Sequence, residues 1–155
     1  MFLVDLESKY PGATNGREYL DIGCSFAGQA ASCAIELKFK TEKQSAQNHG
    51  RVDVYQDLEA LERACQGGYS FGRFFMITDS SVYVHQSGRG LGTVFATHDG
   101  HQTVAGSAFH YPKCAGRPNI RPTLKNSYAF QWENIGPWYF LELNVPQQNH
   151  TIKSQ

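Results

Sequence analysis

The 155-residue sequence lacks an excess of charge of either sign, because 14 lysines and arginines are balanced by 14 aspartates and glutamates. This balance excludes a chain that binds nucleic acid through its net charge, so affinity for phosphates has to come from local patches. Low-complexity tracts and internal repeats are also absent, and 41% hydrophobic and 13% aromatic residues are typical of a globular protein. We expect a single domain over residues 1–155.

Long apolar runs and paired cysteine motifs are missing as well. No stretch approaches the roughly 18 uninterrupted apolar residues of a membrane helix, and Asp5 and Glu7 interrupt the amino terminus before a secretion-like apolar core develops. The four cysteines form no C-x-x-C pair, which argues against structural zinc and fits buried thiols in a reducing compartment. The sequence therefore predicts a cytoplasmic protein with no membrane partner.

Two alternating runs near the amino terminus carry the most informative residues. The first places Asp21 between Leu20 and Ile22, and the second, AIELKFK, alternates Glu36 and Lys38 with apolar residues. Residues two apart on a strand share a face, so both runs are predicted to be half-buried strands. A hairpin between them would bring two carboxylates and an ammonium onto one polar face.

These residue types suit metal-dependent phosphodiester chemistry. Magnesium takes hard oxygen ligands, which Asp21, Glu36 and the main-chain carbonyl of Leu37 could supply, and Mn²⁺ is expected to substitute for it. Lys38 would orient the attacking water or stabilise charge on the phosphate. The triplet also fits a solvated strand face with cross-strand ion pairs. Its position after the apolar run AASCAI favours chemistry, since charges there are costly unless they are paired or bind a metal.

The pattern resembles the PD-(D/E)xK nuclease superfamily, whose core is a helix, a three-strand meander, a helix and a further strand in the same sheet. The family aspartate would be Asp21, the second acid Glu36 and the lysine Lys38. Two departures exist: Leu20 stands where the family motif has proline, and the first helix is reduced to the stub FLVDLESKY. Glu7, in that stub, is a possible accessory acid.

The resemblance covers about residues 7–80 and implies an α/β (α+β) fold with a restriction-endonuclease-like core, in which a helix flanks a central mixed sheet. Helical spacing of apolar residues predicts a helix from Gln47 to Gln66, and Phe74–Ile77 is predicted to be a strand buried on both faces. The crossover between strands favours parallel pairing.

A β-rich extension is expected over 81–146, followed by a tail at 147–155. Its strands are predicted from short aromatic and β-branched runs at 82–85, 93–98, 102–105, 128–132 and 138–145. The Asp-Gly pair at 99–100 indicates a tight turn between His98 and His101.

Residues 110–125 contain four basic residues and no acid, with prolines that indicate an extended loop. Such a loop could lie along phosphates, or it could be a solvated connector. The residues expected to contact nucleic acid are Lys40, Lys113, Arg117, Arg121 and Lys125. DNA is the expected partner, and RNA has the same phosphate groups for these residues to contact. We also expect a homodimer, because two copies of the site would cut both strands of a duplex most simply.

The leading interpretation is thus a small Mg²⁺-dependent DNA endonuclease. One alternative is a nuclease-like module that no longer cuts and that binds nucleic acid or protein within a larger assembly. A second alternative is a hydrolase that uses His98, His101 and His110 on a small phosphoester.

Overall fold

The chain folds into a mixed β-sheet with a long helix packed on one face. The computed structural model describes residues 1–9, 19–28, 31–44 and 47–147. Within these residues the strands, β1 to β8 in chain order, are Phe2–Ser8, Leu20–Phe26, Ser32–Lys40, Phe71–Thr78, Ser107–Ala108, Thr123–Leu124, Trp132–Ile135 and Trp138–Pro146. The helices are α1, Gln47–Gln66, and α2, Leu91–Val94, and Ser81–Tyr83 forms a 3-10 turn. The expected α/β class, with a large mixed sheet and a flanking helix, is confirmed.

The main sheet has the strand order β1-β2-β3-β4-β8-β7. The first three strands form an antiparallel meander, in which Cys24 lies opposite Cys33. Strand β4 runs parallel to β3 after the α1 crossover, and β8 and then β7 continue the sheet with antiparallel strands. The predicted hairpin and the predicted parallel crossover are both confirmed.

Helix α1 has the bounds that the sequence pattern predicts. It packs against β3, β4 and β8, and its fully buried apolar residues are Val54, Tyr55, Leu58, Leu61 and Ala64. The other side of the helix is covered too, because Arg51 and Glu62 are buried against the segment 80–131. Helix α1 therefore lies between the sheet and a second layer.

The amino-terminal segment is a strand, so the expected helical stub FLVDLESKY is wrong. In β1, Val4 pairs with Cys24 and Leu6 with Ile22. A segment this short does not form a stable helix by itself, whereas the free edge of β2 supplies partners for its main-chain groups.

The segment 81–131 is built mostly from turns, so the predicted β-rich extension is only partly correct. The 3-10 turn, α2 and an isolated bridge between Gln102 and Ala129 replace the strands predicted before residue 132. The last predicted strand is confirmed as β8. Phe95 and Phe130 of these runs pack against Tyr55 of α1, with ring centroids 5.2 and 6.2 Å from its ring, and Phe109 joins them at 4.6 Å. The aromatic pattern of these runs thus indicates burial against a helix and not pairing in a sheet.

The side of the sheet that faces α1 is called the inner face here, and the opposite side the outer face. The outer face is open in the part of the chain that the structure describes. Its large apolar side chains that are 41–70% exposed are Val4, Leu6, Phe26, Leu37, Phe39, Phe71 and Ile135. Strand β4 shows the contrast, because Phe74 and Met76 are fully buried on the inner face while Phe75 and Ile77 are half-buried. The prediction that this strand is buried on both faces is therefore wrong for its outer side.

Candidate active site

Strands β2 and β3 stop pairing where the acidic residues begin. Ile22 and Ile35 form the last main-chain pair of their ladder, and beyond it the Leu37 N–H donates a 2.7 Å hydrogen bond to Asp21 Oδ2. The Asp21 carboxylate thus replaces a main-chain carbonyl as acceptor. Since the N–H and C=O of one residue in an extended strand point to the same side, the Leu37 carbonyl is also directed toward β2.

Asp21 and Glu36 meet on the inner face, as the hairpin predicts. Glu36 is only 8% exposed, and its carboxyl is hydrogen-bonded to that of Asp21. Burial is the largest cause that raises the pKa of Glu36 from its usual 4.5 to about 9. The neighbouring acids Asp57 and Asp21 add to the rise, and the charge of Lys38 opposes it. At neutral pH a pKa of about 9 leaves the proton on Glu36, which shares it with the Asp21 carboxyl in this hydrogen bond.

Lys38 lies on the same face and is held by a residue of helix α1. Its Nζ is 2.5 Å from Asp57 Oδ2, and both side chains are largely covered. Burial raises the pKa of Asp57, while the charge of Lys38 and its hydrogen bond lower it. The site therefore contains three carboxyls and one ammonium. Asp57 is a member that the sequence analysis did not assign to it.

A cleft of about 320 Å³ gives access to Glu36 and Asp57, whereas Asp21 and Lys38 are not among the residues that line it. It lies between α1 and the start of β2, and Glu36 and Asp57 form part of its wall together with Tyr19, Glu59 and Arg63. Its volume is at the lower end of the range usual for small-molecule sites. Glu36 is thus buried from bulk solvent but lies beside a space that a cation and a phosphate group could enter.

Glu7 lies one strand away from the site. It falls between the pairs Leu6–Ile22 and Ser8–Leu20 of the β1–β2 ladder, which places it across from Asp21. Its φ of +50° is in the left-handed region, where non-glycine residues are uncommon, and its side chain is exposed.

The basic residues predicted to bind nucleic acid are divided among several environments. Lys40 Nζ lies 3.7 Å from Asp53 of α1, and Arg117 forms an ion pair with the same carboxylate. Lys125 Nζ donates to Gln66 Oε1 at the far end of the helix. Arg121 is exposed.

The loop that carries these residues is fastened along α1, so it is not free to extend. The Thr123 N–H donates to Glu59, and the N–H groups of Lys125 and Asn126 donate to the buried carboxylate of Glu62. The Tyr128 hydroxyl donates to the same carboxylate at 2.8 Å. The acids of α1 thus supply the acceptors that fix the loop, and only its side chains can face a ligand.

Lys113 lines a cavity of about 480 Å³ at the amino-terminal end of α1. His49, Arg89 and Tyr111 line it too, and no acid is among its described lining residues. His49 Nε2 donates to the carbonyl of Ala115. The cavity therefore presents basic groups about 12 Å along the helix from Asp57, at 1.5 Å per residue.

The three histidines of the alternative interpretation have different partners. The rings of His98 and His101 lie 5.2 Å apart, but His110 Nε2 is hydrogen-bonded to the carbonyl of Pro118. Burial lowers the pKa of His101, and the charge of His98 lowers it further. Within the ranges that the structure describes, no three His, Cys, Asp or Glu side chains are arranged to hold a metal ion by themselves.

Comparisons with protein-family models, with curated proteins and with solved structures find no match to this chain. In the described part of the chain, none of the helices is long and apolar enough to cross a membrane. The geometry of Asp21, Glu36, Lys38 and Asp57 is thus the basis for a functional conclusion.

Proposed function

We propose that this protein is a Mg²⁺-dependent phosphodiesterase that acts as a small DNA endonuclease. The observation that carries the proposal is the contact between the Asp21 and Glu36 carboxyls beside the Lys38–Asp57 ion pair, where Glu36 and Asp57 line an open cleft. The order of elements supports it: an antiparallel meander, a helix and a strand parallel to the third are also the core of PD-(D/E)xK nucleases after their first helix. Membership of that superfamily is part of what we propose.

The residues present fit a divalent cation with oxygen ligands. A cation that displaces the shared proton would be held by Asp21, Glu36 and the Leu37 carbonyl, and Mn²⁺ is expected to replace Mg²⁺ there. Bound in this way, it would acidify a coordinated water and offset charge on the phosphate. Glu36 must lose its proton first, so we expect binding to strengthen as the pH rises.

Lys38 would supply the positive charge that the reaction needs beside the metal ligands. Asp57 fixes its ammonium on the inner face, where it can hydrogen-bond a phosphate oxygen or the attacking water. Asp57 is therefore a positioning residue. Glu7, on the neighbouring strand, is a possible accessory ligand through water.

The basic cavity would hold the backbone of the substrate away from the reaction centre. Its distance of about 12 Å from Asp57 corresponds to three or four steps of duplex at 3.4 Å each. Lys113 and Arg121 are exposed and available, whereas Arg117, Lys40 and Lys125 would have to exchange protein partners for phosphates. Phosphate contacts of this kind position a nucleic acid without reading its sequence.

Plasmid incubated with purified protein and Mg²⁺ or Mn²⁺ tests the proposal. We expect cleavage by the wild type, and a loss of at least about a hundredfold in rate for Asp21→Asn and Lys38→Ala. Asp5→Asn and Lys43→Ala are matched controls with unchanged rates. If the wild type does not cut the plasmid, the proposed endonuclease activity is wrong. If Lys38→Ala keeps full activity, the proposed role of Lys38 is wrong.

A second candidate is a nuclease-like module that binds nucleic acid without cutting it. It is favoured by the ion pair with Asp57, which neutralises Lys38 in the resting site. Fluorescence anisotropy with labelled duplex and single strands would then show binding that Lys113→Ala weakens, without cleavage under any metal condition. Cleavage by the wild type would contradict this candidate.

A further inference from the structure

In the part of the chain that the structure describes, the outer face of the sheet exposes a largely apolar surface that a second layer would normally cover. Sheets in globular domains bury an apolar face against another element, and exposed apolar patches of this kind mark interaction sites. Here the exposed residues are joined by half-buried neighbours, which are Ile22, Ile35, Phe75, Ile77, Trp138 and Phe140. Phe39 and Trp138 already contact each other, with ring centroids 5.5 Å apart. Each of the six strands therefore contributes apolar residues to this face, and Arg73, Glu133, Glu142 and Asn144 lie among them.

We infer that this outer face is the interface of a twofold homodimer. Six strands about 4.8 Å apart and about seven residues long cover roughly 600 Å² on each chain. Packing two such faces completely would bury about 1,200 Å² in total, which is at the lower end of the range of specific interfaces. Two copies also do not repel each other, because the chain has no net charge.

The shape of the face matches a second copy of itself. Leu37 and Phe39 project from β3, while a groove of about 230 Å³ lies on the same face. The residues that line this groove include Cys24, Phe26, Cys33, Ile35 and Phe71. In a twofold contact each residue that enters the partner is matched by the reverse contact, so a ridge and a groove on one surface complement each other twice.

Two of the three charged residues on the face are self-complementary, and the third, Glu133, is an exposed acid on β7 at the edge of the sheet. Arg73 of β4 pairs with Glu142 of β8 in the midst of the apolar residues. A purely apolar partner would bury this pair without new hydrogen-bonding groups. A second copy brings a matching pair, in which the Arg73 of one chain can meet the Glu142 of the other.

Such a dimer places the two candidate active sites on the sides away from the interface, since they lie on the inner faces. The inference does not depend on the catalytic proposal. It also changes the expected role of dimerisation, because two sites that face apart would not cut opposite strands at one position.

Sedimentation velocity on the full chain over a hundredfold dilution series tests the inference. We expect the wild type to form a species of about 35 kDa, twice the 17.3 kDa of one chain. Phe39→Glu should raise the dimer dissociation constant at least about tenfold while the circular dichroism spectrum is kept. Val104→Glu, at a residue that is also exposed but lies outside the main sheet, is the matched control and should leave it unchanged.

Charge reversal separates a self-interface from a surface for another protein. Arg73→Glu and Glu142→Arg should each weaken the homodimer, and an equimolar mixture of the two variants should restore dimerisation, because each cross-chain pair is then opposite in charge while the pair within each chain stays broken. A wild type that stays at 17.3 kDa at every concentration overturns the inference. So does a dimer that is unaffected by Phe39→Glu, or open-ended aggregation in place of a closed dimer.

Discussion

The inner and outer faces of β3 reverse the usual arrangement of a half-buried strand. On the inner face, covered by α1, Glu36 is 8% exposed and Lys38 is also largely covered. On the outer face, which is open, Leu37 and Phe39 are 51% and 57% exposed. A sheet with one solvated face normally places apolar residues inside and polar residues outside.

The reversal shows that each face is incomplete in a different way. Buried charges cost free energy unless they are paired or bind a metal, which is why the two acids share a proton and Lys38 is paired with Asp57. Exposed apolar residues forgo the gain of about 25 cal/mol per Å² that burial gives. A cation would complete the inner face, and a second chain would complete the outer one.

The largest difference between the faces should appear when a leucine is truncated. Leu143 lies on the inner face of β8, where it is 3% exposed, so Leu143→Ala should lower the free energy of unfolding by about 3 kcal/mol. Leu37→Ala on the outer face should cost less than about 1 kcal/mol in the monomer. Urea denaturation at concentrations below dimerisation measures both. Equal losses would contradict an open outer face.

The burial of Glu36 beside Asp21 predicts that the free energy of unfolding depends on pH, with a change similar in size to that of Leu143→Ala. A carboxyl whose pKa is higher in the folded than in the unfolded chain contributes stability that is complete below the unfolded value and is lost as the pH rises through the folded one. For Glu36 this window extends from 4.5 to about 9. The unfolding free energy of the metal-free protein should therefore fall by up to about 3 kcal/mol between about pH 5 and pH 7, at about 1.4 kcal/mol per unit.

Glu36→Gln removes the titrating group and should flatten this part of the curve. Magnesium should raise the melting temperature of the wild type more at pH 8 than at pH 6, because the cation competes with the shared proton. It should not stabilise Asp21→Asn. Parallel wild-type and Glu36→Gln curves would contradict the shared proton.

Those parts of the fold that follow from local patterns could be predicted. The alternation around Asp21 and Glu36 specifies a hairpin, and 20 residues with helical spacing specify α1 with its bounds. The amino-terminal strand and the turns of 81–131 could not, because their conformations depend on a free sheet edge and on the surface of α1. Burial against a helix leaves the same apolar signal as pairing in a sheet.

Asp57 was missed because its role depends on the side of α1 that faces β3. A signal was present in the spacing. Residues four apart on a helix rise about 6 Å, and residues two apart on a strand rise about 6.6 Å. The spacing therefore allows Asp57 to pair with Lys38 and Asp53 to pair with Lys40 at the same time. The structure shows both ion pairs.

The smallest expected contrast concerns the ion pairs of the two faces. Asp57→Ala leaves Lys38 with a covered and unpaired charge, so it should cost about 2 kcal/mol, less than the 3–5 kcal/mol of a fully buried pair. Glu142→Ala breaks the more exposed pair with Arg73 and should cost below about 1 kcal/mol. Both are measured by urea denaturation of the monomer. High salt should reduce the second cost more than the first, since exposed charges are screened and covered ones much less. If the two losses are equal and equally sensitive to salt, the inner face does not differ electrostatically from the outer, and the argument that its buried charges mark a site is lost.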